Sequence, residues 1–318
     1  MAAVLISLGS INADFQVKVD HEPGSAETLL AHDFLRLCGG KAANTAYLGS
    51  LFGLNSHLLG RVGDDDLATQ VLQSLGQAGV NIDGVSRATD SSTAVSMIIV
   101  PPEGKKQIVL AANANDSWNE TSIKQVLTCI DNSPRPACLV IDAEIDPMVT
   151  SQAIARAKVL GIPVVLDPSF PERVDPAWLD ELTAITPNSE EASILLGAKA
   201  DSLEEATQAA SQLFARGVRI ACIKLRNGGA VMAHAEGTYQ IPSGNVPVVD
   251  STGAGDAFTG VLAISLLQGF APLQAACRAV AASDIAVTRY GSQPSYAAAD
   301  RVDEHARATE PRVRRLHG

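Results

Sequence analysis

The chain has 318 residues, 46% hydrophobic and 19% charged, with a formal net charge of −11. That is ample for a sizeable core, and length alone allows one large α/β domain or two. The acidic balance argues against a nucleic-acid or anionic-membrane partner, which would need a basic face, but not against a nucleotide held by backbone N–H groups and a metal.

At the start of the chain, residues 4–8 read as a first strand, too short and too poor in basic flanking residues for a signal peptide. Asn12 and Asp14 follow its end, where open α/β sheets collect ligands. If the chain stays extended, their side chains point the same way, and an amide beside a carboxylate suits vicinal hydroxyls; an Asx turn leaving the strand is the alternative. Gly39 and Gly40 let backbone N–H groups approach a ligand, with Lys41 and Asn44 opening the next helix. This is not a Walker A loop, because Leu35 stands at its first glycine and Ala42 at its Ser/Thr. Residues 15–38 and 93–111 carry short β-like runs such as 94–100, the second pair joined by the turn Pro101-Pro102-Glu103-Gly104. They read as an appendage or an ordinary hairpin.

Further along, strands at 139–142, 164–167 and 219–225 alternate with helices at 147–160 and 204–215, and Gly161 and Gly217 mark helix ends. This is the pattern of a parallel sheet covered on both faces. Glu144 lies just beyond one strand end. Asn188 and Glu191, at i and i+3 on a helix start, can organise magnesium and its waters or simply cap the helix. In the run from Asp250 to Phe258, Gly253 and Gly255 allow a sharp bend before a helix over 257–267. Free N–H groups and the positive dipole end there favour an anion. Asp256 would repel a resting phosphate; it makes sense as a general base for an attacking hydroxyl, or as a plain helix cap. Residues 271–287 read as a long alanine-rich helix. The arginine-rich tail after Tyr296 reads as a solvated helix face or a loose, fraying end. Five scattered cysteines (Cys38, Cys129, Cys138, Cys222, Cys277) without C-x-x-C spacing read as reduced thiols of a cytoplasmic protein. No run reaches the roughly 18 apolar residues of a membrane span.

Six ordered segments from Gly9 to Ser295 resemble the ribokinase-like (phosphofructokinase-B-type) carbohydrate kinases, with ribokinase the nearest pattern. They are Gly9–Asp14, Gly39-Gly40-Lys41-Ala42-Ala43-Asn44, Arg61-Val62-Gly63-Asp64-Asp65, Thr186-Pro187-Asn188-Ser189-Glu190-Glu191, the Asp250–Phe258 run, and Ala286–Ser295. The resemblance implies one mostly parallel sheet with helices on both faces and a small β-sheet lid built from about 15–38 and 93–111, with pairing of two subunits through that lid. It implies phosphoryl transfer from ATP, with Asp256 as base and the N–H groups of Gly253, Ala254 and Gly255 as anion hole. Asn12, Asp14, Gly40, Lys41, Asn44 and Glu144 would face the sugar. Asn188 and Glu191 would serve magnesium, and Lys224, Arg226 and Gly228 would lie along the nucleotide, although Arg226 stands where relatives usually carry glycine. The adenine would lie between that loop and the helix around 280–284. Potassium would be held by Asp250, the carbonyls of Thr252, Ala286 and Gly291, and the Ser295 hydroxyl.

The first expectation for the acceptor is ribose. Ala42 and Thr45 depart from the usual ribokinase G-G-K-G-A-N-Q-A, and Phe15 after Asp14 could stack on a base, so a nucleoside kinase is the second reading. A non-catalytic sugar- or nucleotide-binding regulator is the third. A dehydrogenase is disfavoured because Phe258 stands where a Rossmann loop needs its third glycine.

Overall fold

The computed structural model describes residues 3–25, 28–102 and 106–317. In chain order, β1 (Val4–Leu8) is followed by β2 (Asn12–Lys18), β3 (Leu35–Gly39), α1 (Lys41–Leu51), β4 (Asn55–Gly63), α2 (Asp66–Gln77) and β5 (Asn81–Ala88). Next come β6 (Ala94–Val100), β7 (Gln107–Ala111), α3 (Glu120–Asn132), β8 (Ala137–Asp142), α4 (Pro147–Val159), β9 (Val164–Asp167) and β10 (Ala184–Ile185). The remainder is α5 (Ser189–Leu196), α6 (Leu203–Ala215), β11 (Ile220–Lys224), β12 (Ala230–His234), β13 (Gly237–Ile241), α7 (Ala254–Leu267), α8 (Pro272–Ala286), α9 (Ala299–Thr309) and β14 (Arg314–His317).

Ten of these strands form one sheet in the order β14-β13-β12-β11-β10-β9-β8-β1-β4-β5. From β11 to β5 every neighbouring pair is parallel, while β12, β13 and β14 are added antiparallel at one edge. The parallel strands are apolar on both faces, as burial on both sides demands. Val4, Ile6, Leu139 and Ile141 pack with α3, α4 and α6 on one side. Leu5, Cys138, Val140 and Val165 pack with α7 and α8 on the other. Helix α7 is apolar nearly all round and buried along most of its length, so it lies between the sheet, α1 and α8 rather than on the surface. Alanines 275, 276, 279 and 281 of α8 let the two helices approach closely.

A second sheet, β3-β2-β6-β7, stands apart from the first, with β2 and β6 parallel and the outer pairs antiparallel. It occupies the two segments that broke the α/β alternation. Of the expected turn between β6 and β7, Glu103 and Gly104 lie outside the described residues.

The tail after Tyr296 does not fray. Val302 and Ala306 of α9 are buried against α8, and β14 pairs with β13, so edge hydrogen bonds and one apolar stripe hold a segment whose composition suggested a loose end. The expected solvated face is still there: Arg301 and Arg307 are exposed.

Candidate active site

Because β1, β8, β9, β10 and β11 run parallel, their C-terminal ends and the segments after them open on one edge of the sheet. The candidate residues gather there, at the N-terminus of α7. Gly253 caps that helix with φ of +75°, a left-handed conformation that glycine adopts without strain. A Cβ on it would also lie 2.5 Å from Tyr296 Oη and 2.7 Å from Ser292 Cβ. The first-turn N–H groups of α7 have no carbonyl within the helix to bond, which is the property of an anion hole.

Asp256, in that first turn, is buried. Its Oδ1 is 3.2 Å from Lys41 Nζ, and its Oδ2 accepts from Asn44 Nδ2 at 2.7 Å. Gln293 Nε2 in turn donates to Asn44 Oδ1 at 3.2 Å, which orients the amide. Lys41 also lies 3.3 Å from Asp167 Oδ1. Burial works against its charge, but Asp167 and Asp256 overcome this and hold its pKa well above the ordinary lysine value.

Asp167 closes β9 and was not anticipated from sequence. It accepts from Lys224 Nζ at 3.1 Å and Thr259 Oγ1 at 2.9 Å. Burial would raise its pKa, yet the ammoniums of Lys224 and Lys41 keep it well below the usual carboxylate range. Asp142, closing β8, was missed as well. It accepts from the backbone N–H groups of Ser10 (3.0 Å) and Glu144 (3.0 Å), so it shapes the turn after β1. A readable signal existed for both, namely a carboxylate as the last residue of a wholly apolar, buried strand.

Asn12 and Asp14 sit within β2, not in an Asx turn, and the extended chain turns both side chains to one face. Asn12 donates to Ser96 Oγ at 3.2 Å and accepts from Asn115 Nδ2 at 2.8 Å. Asn115, fully buried, is another residue the sequence did not single out. Asp14 is buried and its Oδ1 has no hydrogen-bond partner. Burial pushes its carboxyl up to about 7, and Asp256 adds to the rise. A buried carboxylate oxygen without a donor is an unmet acceptor that a ligand hydroxyl would satisfy. Gly39 must be glycine here, since a Cβ would stand 2.0 Å from Asp14 Oδ2. Gly40, with φ of +91°, carries the chain into α1 past Ser10 O. Glu144 is half-buried; burial raises its pKa, and Lys41 opposes the rise.

The sign of the Asp14 effect is fixed by linkage. A carboxyl easier to protonate folded than unfolded stabilises the fold fully below its unfolded value of 3.8, and that contribution is lost as pH rises through about 7. Denaturant midpoints are expected to drop between about pH 4 and about pH 7, and Asp14→Asn to flatten that part of the curve. An unchanged slope in the variant would show that another group carries it.

On the other side of Asp256, Asn188 and Glu191 form a reciprocal capping box on α5, each side chain accepting at 2.8 Å from the other's backbone N–H. The helix-cap alternative is therefore realised, although the Glu191 carboxylate remains within electrostatic reach of Lys224, Asp167 and Lys41. Lys224 lies beside α7: a Cβ on Gly255 would be 3.4 Å from its Nζ. Gly228, with φ of +87°, faces Ser243 and Asp284. Arg226 points away from this cluster, 72% exposed and 3.4 Å from Asp201.

Asp250 is fully buried and accepts from Thr252 N (2.9 Å), Thr252 Oγ1 (2.6 Å), Gly291 N (2.8 Å) and Gln16 Nε2 (2.6 Å). Gln16, on β2, is a tie between the small sheet and this segment that the sequence did not reveal. Nearby, Ser295 Oγ donates to Ser292 O at 2.6 Å, Ala286 lies buried at the end of α8, and the Ser292 hydroxyl is buried without a partner.

The chain matches the family model described as "pfkB family carbohydrate kinase" over residues 3–299. It is 29% identical to a ribokinase of Arabidopsis thaliana over 92% of this chain and 78% of that protein. It is 32% identical to a ribokinase of Schizosaccharomyces pombe over 92% of this chain and 94% of that one. A solved structure of Arabidopsis thaliana ribokinase complexed with ribose and ATP superposes with a TM-score of 0.80 at 26% identity, covering 96% of this chain and 99% of that one. A polar cluster at the start of α7 thus goes with a family match along nearly the whole length, and the chain belongs to the pfkB family of carbohydrate kinases, phosphotransferases that act on a sugar hydroxyl.

Proposed function

We propose that this kinase transfers the γ-phosphoryl group of ATP to a primary hydroxyl of a pentose, with ribose, giving ribose 5-phosphate, as the first substrate. The observation that carries the reading is Asp256 in the first turn of α7, held by Lys41 and Asn44, facing the electrostatic field of a buried Asp14 whose Oδ1 lacks a donor. Relatives named ribokinase, one of them solved with ribose and ATP, support the choice of acceptor. In this reading Asn12, Asp14, Gly40, Lys41, Asn44 and Glu144 bind the sugar. Asp256 takes the hydroxyl proton, and the N–H groups of Gly253, Ala254 and Gly255 meet the charge on the phosphoryl oxygens. Lys224 and Gly228 line the nucleotide.

The residues fit a monovalent cation near Asp250, because that carboxylate is buried with hydrogen bonds but no ammonium or guanidinium partner among the described residues, and the buried hydroxyl of Ser292, the residue after Gly291, is unpartnered. Asp250, the carbonyls of Thr252, Ala286 and Gly291, and the Ser295 hydroxyl would hold potassium. They fit magnesium through water, since Asn188 and one Glu191 oxygen are engaged in the capping box. Magnesium would supply charge neutralisation of the polyphosphate.

The small sheet would act as a lid that excludes water. On its outer side Phe34 stacks on Phe15 (5.8 Å between centroids), Met97 is the registered neighbour of Phe15, and Val109 that of Met97. Phe34, Met97 and Val109 are exposed, so this apolar row supports pairing of two copies through the lid. Five free cysteines, four of them buried, support a reducing cytoplasm. No helix among the described residues is long and apolar enough to cross a membrane.

Phe15, which argued for a nucleoside acceptor, alternates with Asp14 and packs with Phe34 and under Arg36, so its ring is not on the sugar-facing side. This weighs against the nucleoside reading. Arg226→Gly is expected to leave the KM for ATP within about two-fold, since the guanidinium is exposed and paired with Asp201 rather than turned to the cluster; a ten-fold rise in an ATP titration would bring that guanidinium onto the phosphates.

The test of the function is ADP release with magnesium-ATP over ribose, 2-deoxyribose, fructose, fructose 6-phosphate, adenosine and pseudouridine, with and without potassium. Potassium-stimulated turnover on ribose is the expected result. Turnover on nucleosides alone overturns the acceptor, and silence throughout favours a binding protein.

A further inference from the structure

Lys106 immediately precedes β7 on the small sheet, and its ammonium donates to Ser251 O at 3.1 Å. The same carbonyl accepts from Ala254 N at 3.4 Å, so this ammonium rests on the loop that wraps the start of α7, two residues before Gly253. Nothing in the sequence had marked it. Three ammoniums thus reach this site. Lys41 lies between Asp167 and Asp256, and Lys224 lies on Asp167. Lys106 has a neutral carbonyl as its hydrogen-bond partner, while Asp256, Asp250 and Asp14 attract it from a distance and Lys41 repels it. Burial lowers its pKa below the ordinary lysine value, a penalty that a single carbonyl offsets poorly. A charge held this way, over an anion hole, matches an anion that arrives later. On the kinase reading, the anion brought to the start of α7 is the γ-phosphoryl group.

We propose that Lys106 is a further catalytic residue: with substrates bound, its ammonium moves from the Ser251 carbonyl to an oxygen of the phosphoryl group in transit, so the small sheet supplies charge as well as cover. In that step the bond from the acceptor oxygen to phosphorus forms and the bond from phosphorus to the ADP oxygen breaks. The hydroxyl proton passes to Asp256, and Lys106 neither gains nor loses a proton. The inference rests on the function proposed above.

The full-length enzyme and its Lys106→Met and Lys106→Arg variants would be compared in steady-state turnover of ribose. Binding of ADP with aluminium fluoride and ribose, a mimic of the transition state, would be measured beside binding of ADP alone. Loss of one charged donor to the phosphoryl oxygens predicts a kcat lowered about 10²-fold in Lys106→Met, with both KM values within about three-fold and most of the loss recovered in Lys106→Arg. Affinity for the mimic should fall by a similar factor while ADP affinity stays put. A purely structural latch would instead raise the KM for ribose at constant kcat, and that result overturns the proposal, as would an unchanged kcat. A loss confined to acceptors that carry a carboxylate or phosphate would also overturn it, by making Lys106 a reader of the acceptor. A wild-type chain silent on every acceptor would sink the kinase reading and this assignment together, whereas an active wild type with an unaffected Lys106→Met sinks this assignment alone.

Discussion

Asp256→Asn is expected to retain the fold and ATP affinity and to lose at least about 10²-fold in kcat, the range assigned to a positioned general base. The amide keeps the shape of the carboxylate and can still accept from Asn44 Nδ2, now 2.7 Å away, and Lys41 retains Asp167 at 3.3 Å. What disappears is the second lone-pair site and the negative charge that draws the hydroxyl proton as the phosphoryl group transfers. Single-turnover measurements with saturating ribose separate this from weakened binding: the chemical step should slow while both dissociation constants hold. Near-normal turnover would remove Asp256 from the base role and leave it as a ligand of Lys41 and Asn44.

The largest effect on stability is expected at Asp167. This carboxylate touches two ammoniums and a hydroxyl at 2.9–3.3 Å inside a site where all three lysine and aspartate side chains are largely shielded from water. Asp167→Ala leaves Lys224 without its carboxylate and Lys41 with Asp256 alone. Removing one member of a buried ion pair typically costs about 3–5 kcal/mol, because the remaining charge stays desolvated. Urea unfolding at neutral pH should show a loss of that order, with the m-value unchanged. A loss below about 1 kcal/mol would mean that both ammoniums find other carboxylates, Asp256 and Glu191 being the neighbours at hand. The pH dependence has the opposite sign to that of Asp14. With its pKa depressed, Asp167 contributes above the unfolded value of 3.8, and the contribution is lost as the pH falls toward its much lower folded value. Asp14 and Asp167 therefore act on different limbs of the stability curve, and the two variants can be told apart by which limb changes.

Much of this molecule could be read from local pattern. The strands at Val4–Leu8 and Val164–Asp167 and the helix that follows Gly253 announce themselves through apolar runs and glycine breaks, which are properties of a few adjacent residues. Asp256, Lys41 and Asn44 were likewise legible, because each stands inside a short motif at a helix start. The two small-sheet segments stood out only as interruptions of the α/β alternation.

What tertiary structure alone decided are the meetings between residues far apart in sequence. Asp167 and Asp142 looked like strand ends until parallel pairing brought those ends to one edge, beside Lys41, Lys224 and Ser10. Gln16 reaches Asp250 across 234 positions, and Lys106 reaches Ser251 across 145, so no periodicity or spacing could have announced either. The direction of Arg226, toward Asp201 ahead of α6, depended on a neighbouring segment as well, whereas the Asn188 and Glu191 capping box is local to one helix start. The tail, polar enough to read as loose, is fixed because β13 leaves an edge to pair and α8 leaves an apolar groove to fill. The sequence by itself determined which elements form and what chemistry sits at their ends, because those follow from short-range sterics, hydrophobic pattern and side-chain type. Only the tertiary structure decided which charges neutralise one another and which are left for a ligand, because electrostatic partnership depends on distance through space and on exclusion of water.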